Sequence, residues 1–154
     1  MKPDTASQAL LDAIDGDTML REVQDWAAIN TGTGNIAGLD RMAGILAENG
    51  VSDVIHWGTY NCRVISGTNK LSQHGLANAI DIRGLVTQAG DYYDVLSDWE
   101  YADFPTTEAG SFLKWFAEIL YIEWVFNIIL TPNYNAAHAD HFHLDLTPGA
   151  HALN

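Results

Sequence analysis

The sequence is poor in cysteine, in positive charge and in unbroken apolar runs. A single cysteine, Cys62, excludes an internal disulfide framework and any zinc module built on several thiolates. Only 7 Lys and Arg oppose 20 Asp and Glu in 154 residues, a net charge of −13 with His neutral. A field of that sign excludes a chain that holds nucleic acid or an anionic membrane through its overall charge. The charged fraction of 18% is below the globular average of about 25%, which also excludes the surface of an extreme salt-adapted protein. The most apolar window, 112–130, is broken by Lys114, Glu118, Glu123 and Asn127. That rules against a membrane span and for a buried helix leading into a strand. Met1 to Thr5 lacks the apolar stretch of a secretory signal, so an exported form would have lost its leader.

What is present suffices for one folded domain. Hydrophobic residues reach 47%, with five Trp, six Tyr and five Phe, enough to bury a core at this length. Residues 6–30 read as two short helices broken at Asp15-Gly16-Asp17, the second capped by Asp17 and carrying Leu20, Val23, Trp26 and Ala27. After a loop at 31–34, Asn35 is placed to cap a helix. Its Leu39, Met42, Ala43 and Leu46 share one face, and it stops at Asn49-Gly50. The pattern then changes to short β-branched or aromatic runs at 51–60, 79–85, 92–96, 125–130 and 141–146. Between the third and fourth lies a helix, 107–121, with Phe112, Trp115, Phe116, Ile119 and Leu120 as its buried stripe. Helices followed by a small, mostly antiparallel sheet with one inserted helix predict an α+β fold. Residues 1–35 read as a helical extension packed on a single domain, 36–154.

The chemistry concentrates in two clusters. The first runs from Leu71 through Ser72 and His74 to Asp81; the second, 135–145, holds His138, Asp140, His141, His143 and Asp145. His141 and His143 are two apart on a predicted strand, so their imidazoles share a face. Asp81 sits between Ile80 and Ile82, and a carboxylate inside an apolar strand needs a partner or a metal. Two imidazoles and a carboxylate can converge on a tetrahedral Zn²⁺, leaving its fourth position to water. Such a site polarises a carbonyl and acidifies water, as amide hydrolysis requires, and a nearby carboxylate must then move the proton. Asp140, three residues before His143, is the best placed. A His-x-His pair can also be surface decoration or a satisfied core pair, and the two-cluster arrangement outweighs that reading. Other metal templates fit worse. An iron facial triad at His138-Ala139-Asp140 would need His151, near the chain end, and a His-Glu-x-x-His helix is absent.

Several segments resemble the bacterial extensin-like C-terminal domain family: Tyr60-Asn61-Cys62-Arg63, Leu71-Ser72-x-His74, Asn78-Ala79-Ile80-Asp81 and the long run Asn133 to Asp145. The resemblance covers roughly 36–147. That family is similar to the zinc D,D-peptidases, which include the vancomycin-resistance dipeptidases and carboxypeptidases and share the hedgehog-type fold. Their pattern, Ser-x-His-x-x-Gly-x-Ala-x-Asp with a distant His, implies zinc ligands at His74, Asp81 and His143. It places Asp140 as general base, where those peptidases usually have Glu, and His141 to stabilise an oxyanion or orient water. Arg63 would meet a scissile carbonyl or a substrate carboxylate, and Ser72 the substrate backbone. The implied substrate is a peptide of bacterial peptidoglycan, and the implied compartment is the periplasm or the exterior. The lone thiol and missing leader leave a cytoplasmic or virion-associated role open. The rival reading is a non-catalytic, metal-stabilised module that binds cell wall or protein. The chain departs from the pattern twice. Ala77 replaces the Gly after His74, which predicts a different loop path, and Glu123 stands where a second cysteine is common, leaving Cys62 unpaired.

Two aromatic features stay open between site and core. The segment 92–104 alternates Tyr92, Tyr93, Trp99, Tyr101 and Phe104 with acids and reads first as a hairpin with core aromatics, second as a loop gripping a glycan or peptide. His56-Trp57 can line a cleft or pack in the core. Asp145, on the strand face of His143, is placed to orient it; His138 can do the same or fix a turn. His151 reads as tail.

Overall fold

The computed structural model describes residues 36–154. The two helices expected at 6–30 and the Asn35 cap lie outside that span. Helix α1 (Ile36–Glu48) ends where anticipated, because Gly50 adopts a φ of 78° that a glycine accommodates without strain. Leu46 is buried and Met42 and Ile45 pack against the core, whereas Ala43, assigned to the same face, is exposed.

Strands follow at β1 (Val51–Gly58), β2 (Ala79–Thr87) and β3 (Tyr92–Asp94), then a single helical turn α2 (Val95–Asp98) and the long helix α3 (Glu108–Ile122). Strands β4 (Ile128–Leu130), β5 (Phe142–Asp145) and β6 (Ala152–Leu153) complete a sheet of order β1-β2-β5-β4-β6. All pairings are antiparallel except β4 with β6, so the sheet is mixed and the fold is α+β as expected. β2 is the organising strand. One side pairs with β1 along its length, and the other is shared by β5 at 79–82 and β3 at 84–86.

Alternation along β2 and β5 sends Ile82, Phe142 and Leu144 into the core, each with no accessible surface. α3 covers that face with Leu113, Phe116, Ala117 and Leu120, spaced i, i+3, i+4, i+7. Phe116 stacks on Phe142 with ring centroids 5.7 Å apart, and Trp99 meets Phe142 edge-on at 5.4 Å. The stripe is therefore rotated from the one read in the sequence: Phe112, Trp115 and Ile119 flank it, half-buried. Thr107 caps α3 by accepting from Gly110 N at 3.0 Å, and the Glu100 carboxylate takes the N–H groups of Thr106 and Thr107.

Three local expectations are corrected by capping and turn chemistry. The run 92–96 ends as a strand at Asp94, whose carboxylate accepts from Leu96 and Ser97 N and starts α2. The segment 92–104 is thus no hairpin; Trp99 is buried, but Tyr92, Tyr101 and Phe104 are exposed. Residues 125–127 stay out of β4 because Trp124 turns with a φ of 54° and Val125 N bonds back to Leu120 O. His151 is not loose. Its ring stacks on Tyr121 at 4.0 Å and on Trp124 at 3.4 Å, next to β6. Among the described residues, no helix is long and apolar enough to cross a membrane.

Candidate metal centre

The opposite face of the sheet carries the polar clusters. Asp81 on β2 and His143 on β5 are direct cross-strand partners, one residue out of phase with the buried Ile82 and Leu144. His74 arrives from the loop above them, on a 3-10 turn (Gln73–Leu76). Ser72 caps that turn: its Oγ accepts from His74 N at 3.2 Å, and its own N–H donates to Arg63 O at 2.9 Å. Ala77 closes it in the left-handed conformation, φ 53° and ψ 35°, with its N–H on His74 O. A glycine takes that conformation without strain, and Ala77 adopts it despite its Cβ. A Cβ on Gly75 would lie 2.7 Å from Leu71 Cδ1 and 3.2 Å from Arg63 O, so a side chain there would displace the exposed Leu71.

Outer partners fix both imidazole tautomers. His74 Nδ1 lies 3.1 Å from Thr59 O; a carbonyl only accepts, so Nδ1 carries the proton and Nε2 offers a lone pair. His143 Nε2 lies 3.1 Å from Asp145 Oδ2, which likewise leaves Nδ1 as the lone-pair atom. His74 Nε2 is then 3.0 Å from Asp81 Oδ1 and 3.0 Å from His143 Nδ1, and the last two are 3.1 Å apart. With both imidazoles neutral, three acceptors face one another at hydrogen-bond distance, and either a proton on His143 or a metal ion between them relieves their repulsion. The triangle is slightly tighter than tetrahedral ligation at about 2.0–2.1 Å per ligand requires, so modest spreading admits an ion. His74, Asp81 and His143 are the group among the described residues that can hold a metal. Burial opposes the charge on Asp81, yet its contacts with His143 and His74 hold its carboxyl well below the usual carboxylate range. Burial likewise opposes protonation of His143, but Asp145 and Asp81 prevail and raise it to about 9, so a proton competes for the same triangle.

The remaining candidates surround this triangle at different depths. His141 is buried; its Nδ1 donates to Asp140 Oδ1 at 2.8 Å and its Nε2 stands 3.6 Å from Asp81 Oδ1. Asp140 thus reaches the triangle through His141. His138 donates from Nδ1 to Asn135 Oδ1 at 2.9 Å. Burial, with the neighbouring His141 and His143, pushes it down to about 4, so it is neutral near pH 7. Arg63 is exposed on the loop before Ser72, with no carboxylate paired to its guanidinium among the described residues, and its charge contributes to depressing His138. Cys62 is exposed and unpaired, and Glu123 pairs instead with Arg41 of α1. Sequence reasoning missed the Thr59 carbonyl, which as a backbone group leaves no residue signature. It also missed Arg83, which alternation from Asp81 puts on the same face.

The class is an α+β domain with a His-Asp-His cluster on one face of its sheet that could hold a metal. A family model described as extensin-like protein C-terminus matches residues 32–152, and the chain belongs to that family. No curated protein and no solved structure matches the chain.

Proposed function

We propose that this chain is a zinc-dependent metallopeptidase that hydrolyses peptide bonds of bacterial peptidoglycan, in the manner of the D,D-peptidases its motifs resemble. The observation that carries the reading is the triangle of lone pairs from His74, Asp81 and His143, with the Asp140–His141 pair alongside. Two imidazoles and one carboxylate are a donor set that suits zinc, and when bound it supplies Lewis acidity toward a carbonyl and toward water. The chain's own groups do the rest. Asp140 accepts the Nδ1 proton of His141 and so presents Nε2 toward the triangle as an acceptor. That nitrogen takes the proton of the attacking water, with Asp140 stabilising the imidazolium, and returns it to the leaving amine. Arg63 offers a permanent charge and forked donors to the carbonyl oxygen as it gains negative charge. Ser72 serves chiefly to hold the turn that delivers His74. The resemblance further favours action in the periplasm or outside the cell.

Zinc analysis of the purified protein, followed by digestion of defined muropeptides and mass spectrometry, tests this reading. Stoichiometric zinc and a cleaved peptide are expected. Asp140→Ala should keep zinc and lose turnover by about 10²- to 10⁴-fold. Protein that takes up no zinc, or zinc-loaded protein that leaves every muropeptide mass unchanged, sinks the proposal. A metal-stabilised binding module would bind cell wall equally well with and without Asp140.

A further inference from the structure

Beside the metal centre stands a second cluster that hydrolysis does not use. Trp57, near the end of β1, is 53% exposed, and its ring meets that of His141 at 5.3 Å. Arg83 lies two residues after Asp81 on β2 and so projects from the same face, its guanidinium carbon 6.0 Å from the centre of the Trp57 ring. Arg83 Nε donates to Asp94 Oδ2 at 3.0 Å, and the Tyr92 hydroxyl donates to the same oxygen at 2.9 Å. Asp94 is itself fixed by the N–H groups of Leu96 and Ser97. The guanidinium is therefore held in place through Nε, with its Nη groups free of other carboxylates among the described residues. Gly84 makes this possible: a Cβ there would lie 2.6 Å from the Tyr92 ring and 2.6 Å from Tyr93 O.

A flat, half-exposed indole flanked by a pinned guanidinium matches the two surfaces of a pyranose. The C–H face of the sugar stacks on the ring, and hydroxyl or acetamido oxygens around its edge meet the planar Nη donors. A nucleobase would also stack, but the phosphates attached to it meet a chain of net charge −13. We propose that Trp57 and Arg83, the latter held by Asp94, form a sugar-binding platform, and that the peptide cut at the metal centre is one carried on a glycan. The second clause rests on the hydrolase reading; the first does not.

The platform also limits which bond can be reached. The contacts from Trp57 to His141 and from His141 Nε2 to Asp81 Oδ1, at 3.6 Å, bound the distance from platform to metal ligand. That distance is at most about 10 Å, and an extended peptide covers roughly 3.3–3.6 Å per residue. A glycan seated on Trp57 and a peptide bond at the metal therefore lie within a few residues' reach of each other.

Calorimetric titration with a β-1,4-linked tetramer of N-acetylglucosamine tests the platform without any catalysis. Saturable binding is expected, weakened at least tenfold in Trp57→Ala and largely kept in Trp57→Phe. Absence of binding to the wild type, or equal binding by Trp57→Ala, overturns the platform. Turnover tests the second clause, comparing one peptide with and without its N-acetylglucosaminyl-N-acetylmuramoyl group. The preference for the glycan-borne form should fall at least tenfold in Trp57→Ala, through KM. A fall shared equally by both substrates would mean that Trp57 only packs His141, and the proposal would fail. Wild-type protein that binds the tetramer but cleaves neither peptide upholds the platform and removes the hydrolase reading.

Discussion

On β2 and β5 a single residue separates the interior from the chemistry. Ile82 and Leu144 are wholly buried beneath α3, while their neighbours Asp81 and His143 point the other way and, with His74, form the candidate metal triangle. The inner face is apolar and interdigitated, whereas the outer face is built from hydrogen bonds whose tautomers are set at a distance by Thr59 and Asp145. The comparison teaches a division of labour. A β-ladder fixes the spacing of two ligands at no conformational cost beyond that of the sheet, and packing on one face keeps that ladder rigid for the other. Substitutions on the two faces should therefore separate stability from metal affinity.

The largest effect should come from the inner face. Phe116→Ala removes a ring stacked on Phe142 and should cost about 3–5 kcal/mol of unfolding free energy. Urea denaturation in the presence of a chelator measures it, and a loss below about 1 kcal/mol would contradict the assigned core. Asp145→Ala should do the converse. It removes the acceptor that holds His143 Nε2–H, and metal affinity should fall about 10- to 100-fold, or about 1.4–2.7 kcal/mol. Competition against a chelator of known affinity reads this, and unchanged affinity would show that the His143 orientation is set elsewhere. Asp145 also accepts from Thr147 N, so the variant's unfolding midpoint in chelator must be compared with that of Phe116→Ala.

How much of this was legible follows from which physical signal each feature carries. Period-two alternation placed His143 and Asp145 on one face, because that periodicity is intrinsic to the strand, while Asp81 stood out as a carboxylate between two isoleucines and its register opposite His143 comes only with tertiary pairing. The helix 107–121 was readable from its apolar spacing and the α1 stop from Asn-Gly. The buried stripe was misassigned toward Phe112 and Trp115, since both sets fit the i, i+3, i+4, i+7 spacing and only packing on the sheet selects Leu113 and Ala117. β6 escaped notice because two residues, Ala152 and Leu153, carry no pattern, and only tertiary pairing with β4 makes them a strand. The role of Ser72 as a cap, rather than as a free hydroxyl beside the metal, depends on a turn that local sequence does not distinguish from a loop.

A pH experiment sharpens the contrast at the rim of the inner face. Glu100 takes hydrogen bonds from the backbone and hydroxyls of Thr106 and Thr107, and these hold its carboxyl down at about 2. A depressed carboxyl contributes stability fully above its unfolded value of about 4.3, and that contribution is lost as pH falls toward 2. Glu100→Gln should flatten this part of the stability profile, followed by urea unfolding of metal-free protein from pH 5 to 2. An unchanged profile would show that Glu100 does not secure the start of α3. No change in zinc affinity at pH 7 is expected, because α3 lies across the sheet from the triangle.

The smallest effect should come from Ala77, where the outer face holds a non-glycine residue in the left-handed conformation. Its left-handed backbone costs an L-residue roughly 1–2 kcal/mol, which glycine would recover. Against that, Ala77→Gly gives up about 0.4–1 kcal/mol through the greater freedom of the unfolded chain. It also gives up about 0.8 kcal/mol for a buried methyl, Ala77 being only 5% exposed. The terms nearly cancel, so stability should move by less than about 1 kcal/mol in either direction and metal affinity by less than threefold. Ala77→Val supplies the contrast, since a β-branched side chain tolerates that φ far less well and should loosen the turn that carries His74. If Ala77→Gly instead weakened metal binding tenfold, the Ala77 Cβ would be acting as a brace for His74. The triangle would then depend on loop packing as much as on the β-ladder beneath it.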